Sequence, residues 1–356
     1  MSIRAFGTND ASTVKVWSKS TNREILPKTL VGKFMGEGAN NILQVKDELT
    51  KSAGDRVRMN IQYLLSARGR TGNEVLEGNE EAPDFQTDDI TIDQLRNAVR
   101  FYGRIDKQRV VYDVRRDARD QLSDWYADRL DTAFLNQVCG NTAQTDTAYT
   151  GLNATVAPSA NNILYAGSAT SAATLTSSDT FDLSYVDKAV TRAKTLHHLY
   201  DQPIIRPVKI SGSDYYVMIL HPHQVKAMRS DTSTGQWLDI QKAAMQGGEV
   251  SNNPIFSGAL GVYNGVIFFE SPRIPYGSDT TTEDTDTRAA VLLGAQSGWC
   301  AYGREGGKAE RYLWNEETFD FGNEHGVAVS LIFGMKKAIF NSKDLASIVV
   351  STWAAE

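Results

Sequence analysis

The sequence predicts an α+β protein with mixed sheets, and three observations carry that prediction. Apolar and polar residues alternate over residues 55–63, the pattern of a half-buried strand. Apolar residues then recur at helical spacing over residues 111–138, a stretch free of proline and glycine. Beyond residue 180, short strands and helices interleave without strict βαβ alternation.

Length and composition frame the problem. A chain of 356 residues and 39.2 kDa is long enough for two or three domains with a sizeable core. Hydrophobic residues at 41% and charged residues at 22% argue against disorder, collagen or coiled coil as descriptions of the whole. The formal charge of -6 argues against a protein that grips phosphates on a basic surface. Cys139 and Cys300 stand far apart outside any CxxC or Cys/His spacing, so neither a disulfide scaffold nor a zinc site is expected, and a reducing cytoplasm is the natural compartment. The N-terminus has no apolar signal core, and the longest apolar-rich stretch, residues 327–335, falls far short of the ~20 residues of a membrane span, so no membrane partner is expected. The chain begins at Met1, so no cleaved N-terminal prosegment is expected.

Residues 1–53 carry scattered Gly, Ser, Thr and Asn with short apolar runs, and read as an N-terminal arm that needs a partner surface. From Gly54 the pattern changes. Val57, Met59, Ile61 and Tyr63 alternate with Arg56, Arg58, Asn60 and Gln62; a glycine-rich tip and a second extended segment with Val75, Leu76, Phe85, Ile90 and Ile92 complete a long hairpin over residues 54–92. Its charge is lopsided. Arg56, Arg58, Arg68 and Arg70 face no acid on their own stretch, whereas Glu74, Glu77, Glu80, Glu81, Asp84, Asp88 and Asp89 face no base. Either the two strands pair their own charges, or the arm docks on a neighbouring subunit with charge setting the register.

Residues 93–180 are assigned to one domain around the helix at 111–138, about 28 residues or roughly 40 Å long. The approach to it is the most basic part of the chain: Arg96, Arg100, Arg104, Lys107, Arg109, Arg115, Arg116 and Arg119 outnumber Asp106, Asp113 and Asp117. These bases either face DNA weakly or pair with carboxylates of the protein. Residues 130–187 contain no Lys or Arg and read as hydroxyl-rich loops with one short strand inside 161–167. A second helix follows, with Leu183, Val186, Val190, Ala193 and His197 on one face. Then come a strand over 215–220, a short helix after Pro222, a third helix over 237–246, and strands over 266–270, 289–294, 326–333 and 346–352.

Enzyme signatures are thin. His197, His198, His221, His223 and His325 accompany no HExxH motif or carboxylate cluster, and no GxSxG elbow occurs. Residues 303–308 lack the phosphate-loop GxxxxGK[ST], and the acidic run 279–286 lacks the EF-hand glycine and terminal glutamate, so both read as loops. No catalytic residue, metal site or cofactor is expected.

Longer strings carry a family resemblance. Gly54-Asp55-Arg56-Val57-Arg58, Leu76-Glu77-Gly78-Asn79-Glu80-Glu81, residues 113–125, Thr234-Gly235-Gln236-Trp237-Leu238-Asp239, residues 253–261, Gly334-Met335-Lys336-Lys337 and Phe340-Asn341-Ser342-Lys343-Asp344 follow in order. From about residue 50 onward the chain resembles the major capsid proteins of tailed bacteriophages, in their N-four-like capsid family. The resemblance implies a Hong Kong 97 type fold: an N-arm, an extended E-loop at 54–92, a peripheral domain at 93–180 with spine helix 111–138, an axial domain at 181–307, and return strands of the peripheral domain at 308–356. It implies an icosahedral shell of pentamers and hexamers around double-stranded DNA, assembled in the bacterial cytoplasm. A separate scaffold protein, a portal and a decoration or cement protein are the implied partners.

On that resemblance, Arg56, Arg58, Arg68, Arg70, Glu74, Glu77, Glu80, Glu81 and Asp84 become inter-subunit contacts, and Gly54 and Gly103 hinges. Arg96, Arg100, Arg104, Lys107 and Arg109 become a weak DNA-facing strip. An encapsulin-like compartment and a soluble enzyme are the alternative readings.

Overall fold

The structure is a computed structural model that describes residues 29–47, 54–62, 68–82, 85–101, 114–200, 202–210, 212–231, 261–279, 282–303 and 311–355. In chain order the strands are β1 (Met35–Gly36), β2 (Leu43–Lys46), β3 (Arg56–Gln62), β4 (Phe85–Thr91), β5 (Asp93–Phe101), β6 (Ile163–Tyr165), β7 (Val208–Ile210), β8 (Ser213–Leu220), β9 (Gly261–Tyr263), β10 (Val266–Glu270), β11 (Tyr276–Asp279), β12 (Thr282–Leu293), β13 (Gly298–Tyr302), β14 (Tyr312–Phe319), β15 (Glu324–Lys337), β16 (Ile339–Phe340), β17 (Lys343–Asp344) and β18 (Ser347–Trp353). The helices are α1 (Val114–Cys139), α2 (Leu183–Tyr200) and α3 (Pro222–Ser230).

Helix α1 forms because ordinary helix formers run unbroken for seven turns, and it ends where Gly140 takes a left-handed φ of 68° and the Asn141 amide reaches back to the Asn136 carbonyl. Its buried stripe runs through Ala118, Leu122, Tyr126, Leu130, Phe134 and Val138. Tyr126 replaces Trp125 as the deeply buried aromatic, because its hydroxyl reaches the carbonyls of Leu95 (3.0 Å) and Val329 (2.8 Å). Trp125 is half-buried at the edge of the same core.

Two sheets meet around this helix. In the six-stranded sheet the order is β1-β2-β13-β15-β14. The long strand β15 pairs β13 through residues 333–337 and β5 through residues 325–333, so the two shorter strands follow one another along it. In the eight-stranded sheet the order is β6-β18-β12-β8-β10-β9, with β7 and β11 attached to β8 and β12.

Strand alternation divides the core. Val217 and Ile219 of β8, Val291 and Leu293 of β12 and Val349 of β18 join the α1 cluster. Met218, Leu220, Leu292, Ile348 and Val350 join a second cluster with α2 and α3. One sheet thus seals two cores, and its strands are apolar on both faces, as such a position demands. On α2 the buried face is Leu183, Val186, Ala189, Val190, Ala193 and Leu196; His197, assigned to that face by the sequence, is exposed.

Three further elements differ from the sequence reading. The described part of the N-terminal segment is built into the body: β2 pairs β13 in parallel, and Leu43 is fully buried. Asp131 of α1 holds its approach by accepting the amides of Leu30 and Val31, each at 3.0 Å. Burial pushes that carboxyl up even though the two amides and Arg273 oppose the shift. In the acidic run at 279–286, expected as a loop, Asp279 ends β11 and residues 282–286 begin β12, the two strands paired antiparallel. Strands β5, β13 and β14 were not anticipated; each becomes a strand by pairing with β15.

The 181–307 and 308–356 divisions are each spread over both sheets, since β13 pairs in the six-stranded sheet and β18 in the eight-stranded one. The expected helix over 237–246, Gly103, and most of the 303–308 stretch lie outside the described residues.

Candidate assembly surface

The hairpin predicted from residue 54 onward is present as β3 and β4, paired antiparallel from Arg56 opposite Thr91 to Gln62 opposite Phe85. Alternation selects its buried face. Val57 and Met59, with Ile90 opposite, pack on Trp299, Ala301 and Ala338 of the body, while Arg56, Arg58 and Asn60 face solvent.

The root is held by polar contacts that sequence reading missed. Asp88, an inward-facing acid only 7% exposed, pairs with Lys336 and accepts the Ile339 amide at 3.4 Å. The Lys336 ammonium also reaches the Asp89 carbonyl at 3.2 Å, and Gln86 accepts the Asn341 amide at 2.9 Å. The Asn153 side chain clasps Thr91 at both its amide (3.1 Å) and its carbonyl (2.9 Å). Close approach completes the root: a Cβ on Gly334 would lie 2.1 Å from the Thr91 carbonyl oxygen, so only glycine lets β15 pass beneath the strand. The one signal in the sequence was an acid placed on the apolar side of the alternation.

The candidate contact residues fall into three groups. Arg58 forms a two-pronged ion pair with Asp89 across the strands (2.8 and 3.0 Å) and thereby holds the Asp89 carboxyl below the usual range. At the tip, Arg68 pairs with Glu74 at 2.8 Å, and Arg70 lies 3.7 Å from the same carboxylate. Arg56, Glu77 and Glu80 are exposed, Glu81 is half-buried and Asp84 lies outside the described residues; Gly54, the proposed hinge, is exposed where the hairpin leaves the body. Pairing within the hairpin therefore accounts for Arg58, Arg68, Arg70 and Glu74 in the single chain.

The basic segment behaves similarly. Arg100 of β5 pairs with Glu324 (Nε to Oε2 2.6 Å) and stacks over the Phe319 ring at 4.2 Å. Arg115 reaches the buried Glu316 at 2.7 Å, which also accepts the Trp314 indole at 2.6 Å, and Arg119 pairs with Asp120. Arg96 is exposed on β5; Arg104, Lys107 and Arg109 lie outside the described residues.

Among the described residues no group of three His, Cys, Asp or Glu side chains is placed to hold a metal ion, and Cys139 and Cys300 are buried, with their thiols pushed up to about 12 by burial.

Three apolar side chains of the hairpin are exposed beside its charged ones: Val75, Leu76 and Phe85 at 68%, 61% and 59%. The phage capsid protein family matches residues 5–356. The chain belongs to that family. This capsid chain is 28% identical over 364 residues to the major capsid protein of Pseudomonas phage KPP25, covering 94% of the chain and 91% of that relative. It superposes on the capsid of Ralstonia phage GP4 with a TM-score of 0.77 at 31% identity, covering 100% of this chain and 96% of that one. For the capsid of cyanophage Pam1 the TM-score is 0.72 at 21% identity, with 99% and 97% covered. The α+β architecture is the Hong Kong 97 type capsid fold, and the capsid chain is a phage major capsid protein, a component of the virion that builds the icosahedral shell from copies of itself.

Proposed function

We propose that the β3–β4 hairpin is the arm by which one capsid subunit holds the next. The observation that carries this reading is the contrast along one element: a root tied to the body by Asp88–Lys336 and the Val57, Met59 and Ile90 cluster, and a tip whose apolar side chains Val75 and Leu76 are more than half exposed. The family role supports it, since a shell subunit must bury surface on its neighbours.

In this reading the role is structural, with no catalytic step. Gly54 and Gly103 absorb differences between lattice positions, and Arg96, Arg104, Lys107 and Arg109 touch packaged double-stranded DNA weakly. The net charge of -6 suits weak contact, because tight electrostatic binding would retain the genome. A scaffold protein, a portal and a decoration or cement protein are the partners, and assembly takes place in the bacterial cytoplasm.

The test is truncation of the hairpin tip by deleting residues 71–80, followed by negative-stain microscopy. The expected result is a folded subunit that forms no shells. Normal shells from the truncated chain would remove the hairpin from the assembly contact.

A further inference from the structure

We infer that Asn264 is a deamidation site, and that its conversion to aspartate or isoaspartate unfastens the β9–β10 turn from helix α2.

Asparagine followed directly by glycine occurs at a single place in the chain, Asn264–Gly265. These two residues are the whole turn between β9 and β10: Tyr263 pairs with Val266 across it, and both turn residues take left-handed φ values, 47° and 73°. Asparagine then glycine is the favoured sequence for such a tight hairpin turn. The turn is fastened at two points. Asp187 of α2 accepts the Asn264 side-chain amide at 2.9 Å and the Tyr263 hydroxyl at 3.0 Å. The Gly265 carbonyl accepts the Tyr216 amide of β8 at 2.8 Å.

The same placement leaves the pair open to reaction. Asn264 is exposed, Gly265 has no side chain to shield its nitrogen, and its N–H donates to no described residue, so its proton can pass to water. The Gly265 nitrogen then attacks Asn264 Cγ. The N–Cγ bond forms, the Cγ–Nδ2 bond breaks, and Nδ2 leaves as ammonia with a proton returned from water. Water adds across one or the other carbonyl of the resulting cyclic imide, giving aspartate or isoaspartate. Water is the only co-reactant, and nothing is oxidised or reduced.

Either product undoes the fastening. Aspartate sets a carboxylate where the Asn264 amide donated to Asp187, so two like charges meet with no N–H between them. Isoaspartate adds one main-chain carbon to a turn whose two-residue length sets the register of Tyr263 with Val266. Strand β9 ends the sheet order, with β10 its one neighbour among the described residues, so the turn has little else to hold it.

The chain carries its own comparison. Asn341–Ser342 makes the turn between β16 and β17, is exposed, and has left-handed φ values of 47° and 59°. There the attacking nitrogen belongs to serine, whose side chain crowds the approach.

The experiment ages the purified protein at mildly alkaline pH and follows its peptides by mass spectrometry. The peptide holding Asn264 should gain the mass of an amide-to-acid exchange and split into aspartate and isoaspartate forms, while the Asn341 peptide stays unchanged. Hydrogen exchange on the aged protein should be faster in β9 and around Asp187 and unaltered in β12 and β18. An aged Asn264→Gly variant, which keeps a left-handed turn without the reactive amide, should show no such change. Without ageing, Asn264→Asp should lower the melting temperature by about 2 °C, as loss of one weak polar contact implies. Asp187→Asn added to it should recover that loss, because donor and acceptor are then exchanged. No mass gain at Asn264, or an equal gain at Asn341, would overturn the site. Unaltered exchange in the aged protein, or no recovery in the double variant, would overturn the unfastening.

Discussion

The Lys337 ammonium lies 2.7 Å from an Asp344 carboxylate oxygen with both side chains removed from solvent, 0% and 3% exposed. Lys337 also donates to the carbonyls of Val156 (3.0 Å) and Ala157 (3.3 Å), and Asp344 accepts the Ser159 amide at 3.2 Å. The pair therefore ties the end of β15, the β17 strand and the hydroxyl-rich 150–160 loop together. Removing one partner strands the other charge. Lys337→Met is expected to destabilise the free subunit by about 3–5 kcal/mol, and Lys337→Met with Asp344→Leu to recover much of that loss. Denaturant titration of the three proteins measures both numbers, and an equal loss in the double variant would refute the pairing argument.

Gly334 meets the Thr91 carbonyl with no room for a methyl group. Gly334→Ala should push the hairpin root off β15 and cost about 1–3 kcal/mol, the usual range for overpacking. Hydrogen exchange should locate the loss, with amides of β3 and β4 exchanging faster and those of β12 and β18 unchanged. Uniform acceleration across the chain would contradict a local displacement.

His221 couples stability to pH. Burial first, then Arg288 and His223, push its pKa down from 6.5 to about 4, so the folded state holds it neutral. Its Nδ1 accepts the His223 amide at 3.3 Å as the N-cap of α3, and the His223 ring contacts the Ala354 carbonyl at 3.0 Å. Because the folded value is the lower one, this contribution is complete above pH 6.5, declines as pH falls from there and is spent near pH 4. His221→Asn keeps a capping side chain without the titration, so its stability should fall less than the parent's between pH 7 and 5. Parallel pH curves for the two proteins would be the contrary outcome.

Arg58 and Asp89 form an exposed cross-strand pair, and such pairs contribute only about 0–1 kcal/mol. Arg56→Glu with Arg58→Glu should leave a folded subunit with nearly the parental melting temperature, yet one that assembles poorly, because like charges then oppose each other along the arm. Exchanging the pair, Arg58→Asp with Asp89→Arg, should assemble better than Arg58→Glu alone. Light scattering during assembly measures both, and normal shells from the double glutamate variant would exclude the arm's charge from assembly.

Local features were legible where periodicity encodes them. Val57, Met59 and Ile61 marked one face of β3, and the α1 stripe marked a helix long enough to span two sheets. The hairpin's unlike charges were also visible in sequence, but their partners were not. Arg58 with Asp89 and Arg68 with Glu74 are settled by strand register and by the fold of the tip. Lys336, 248 residues beyond Asp88, carries no local signal that it anchors the hairpin. Strands β5, β13 and β14 escaped because each owes its conformation to β15, and pairing partners are set by the whole chain.

The sequence by itself determined an α+β chain, its principal helix, an extended hairpin with divided charge, and a family resemblance to phage capsid proteins, since periodicity, turn chemistry and ordered strings are properties of neighbouring residues. Only the tertiary structure decided that one sheet seals two cores, that the segment before the hairpin is partly a core strand, and that Arg58 pairs with Asp89 and Arg68 with Glu74 at the hairpin's surface while Val75 and Leu76 stay exposed. The reason is physical. Burial and charge pairing depend on distances between residues far apart in the chain, and those distances exist only once the sheets have closed.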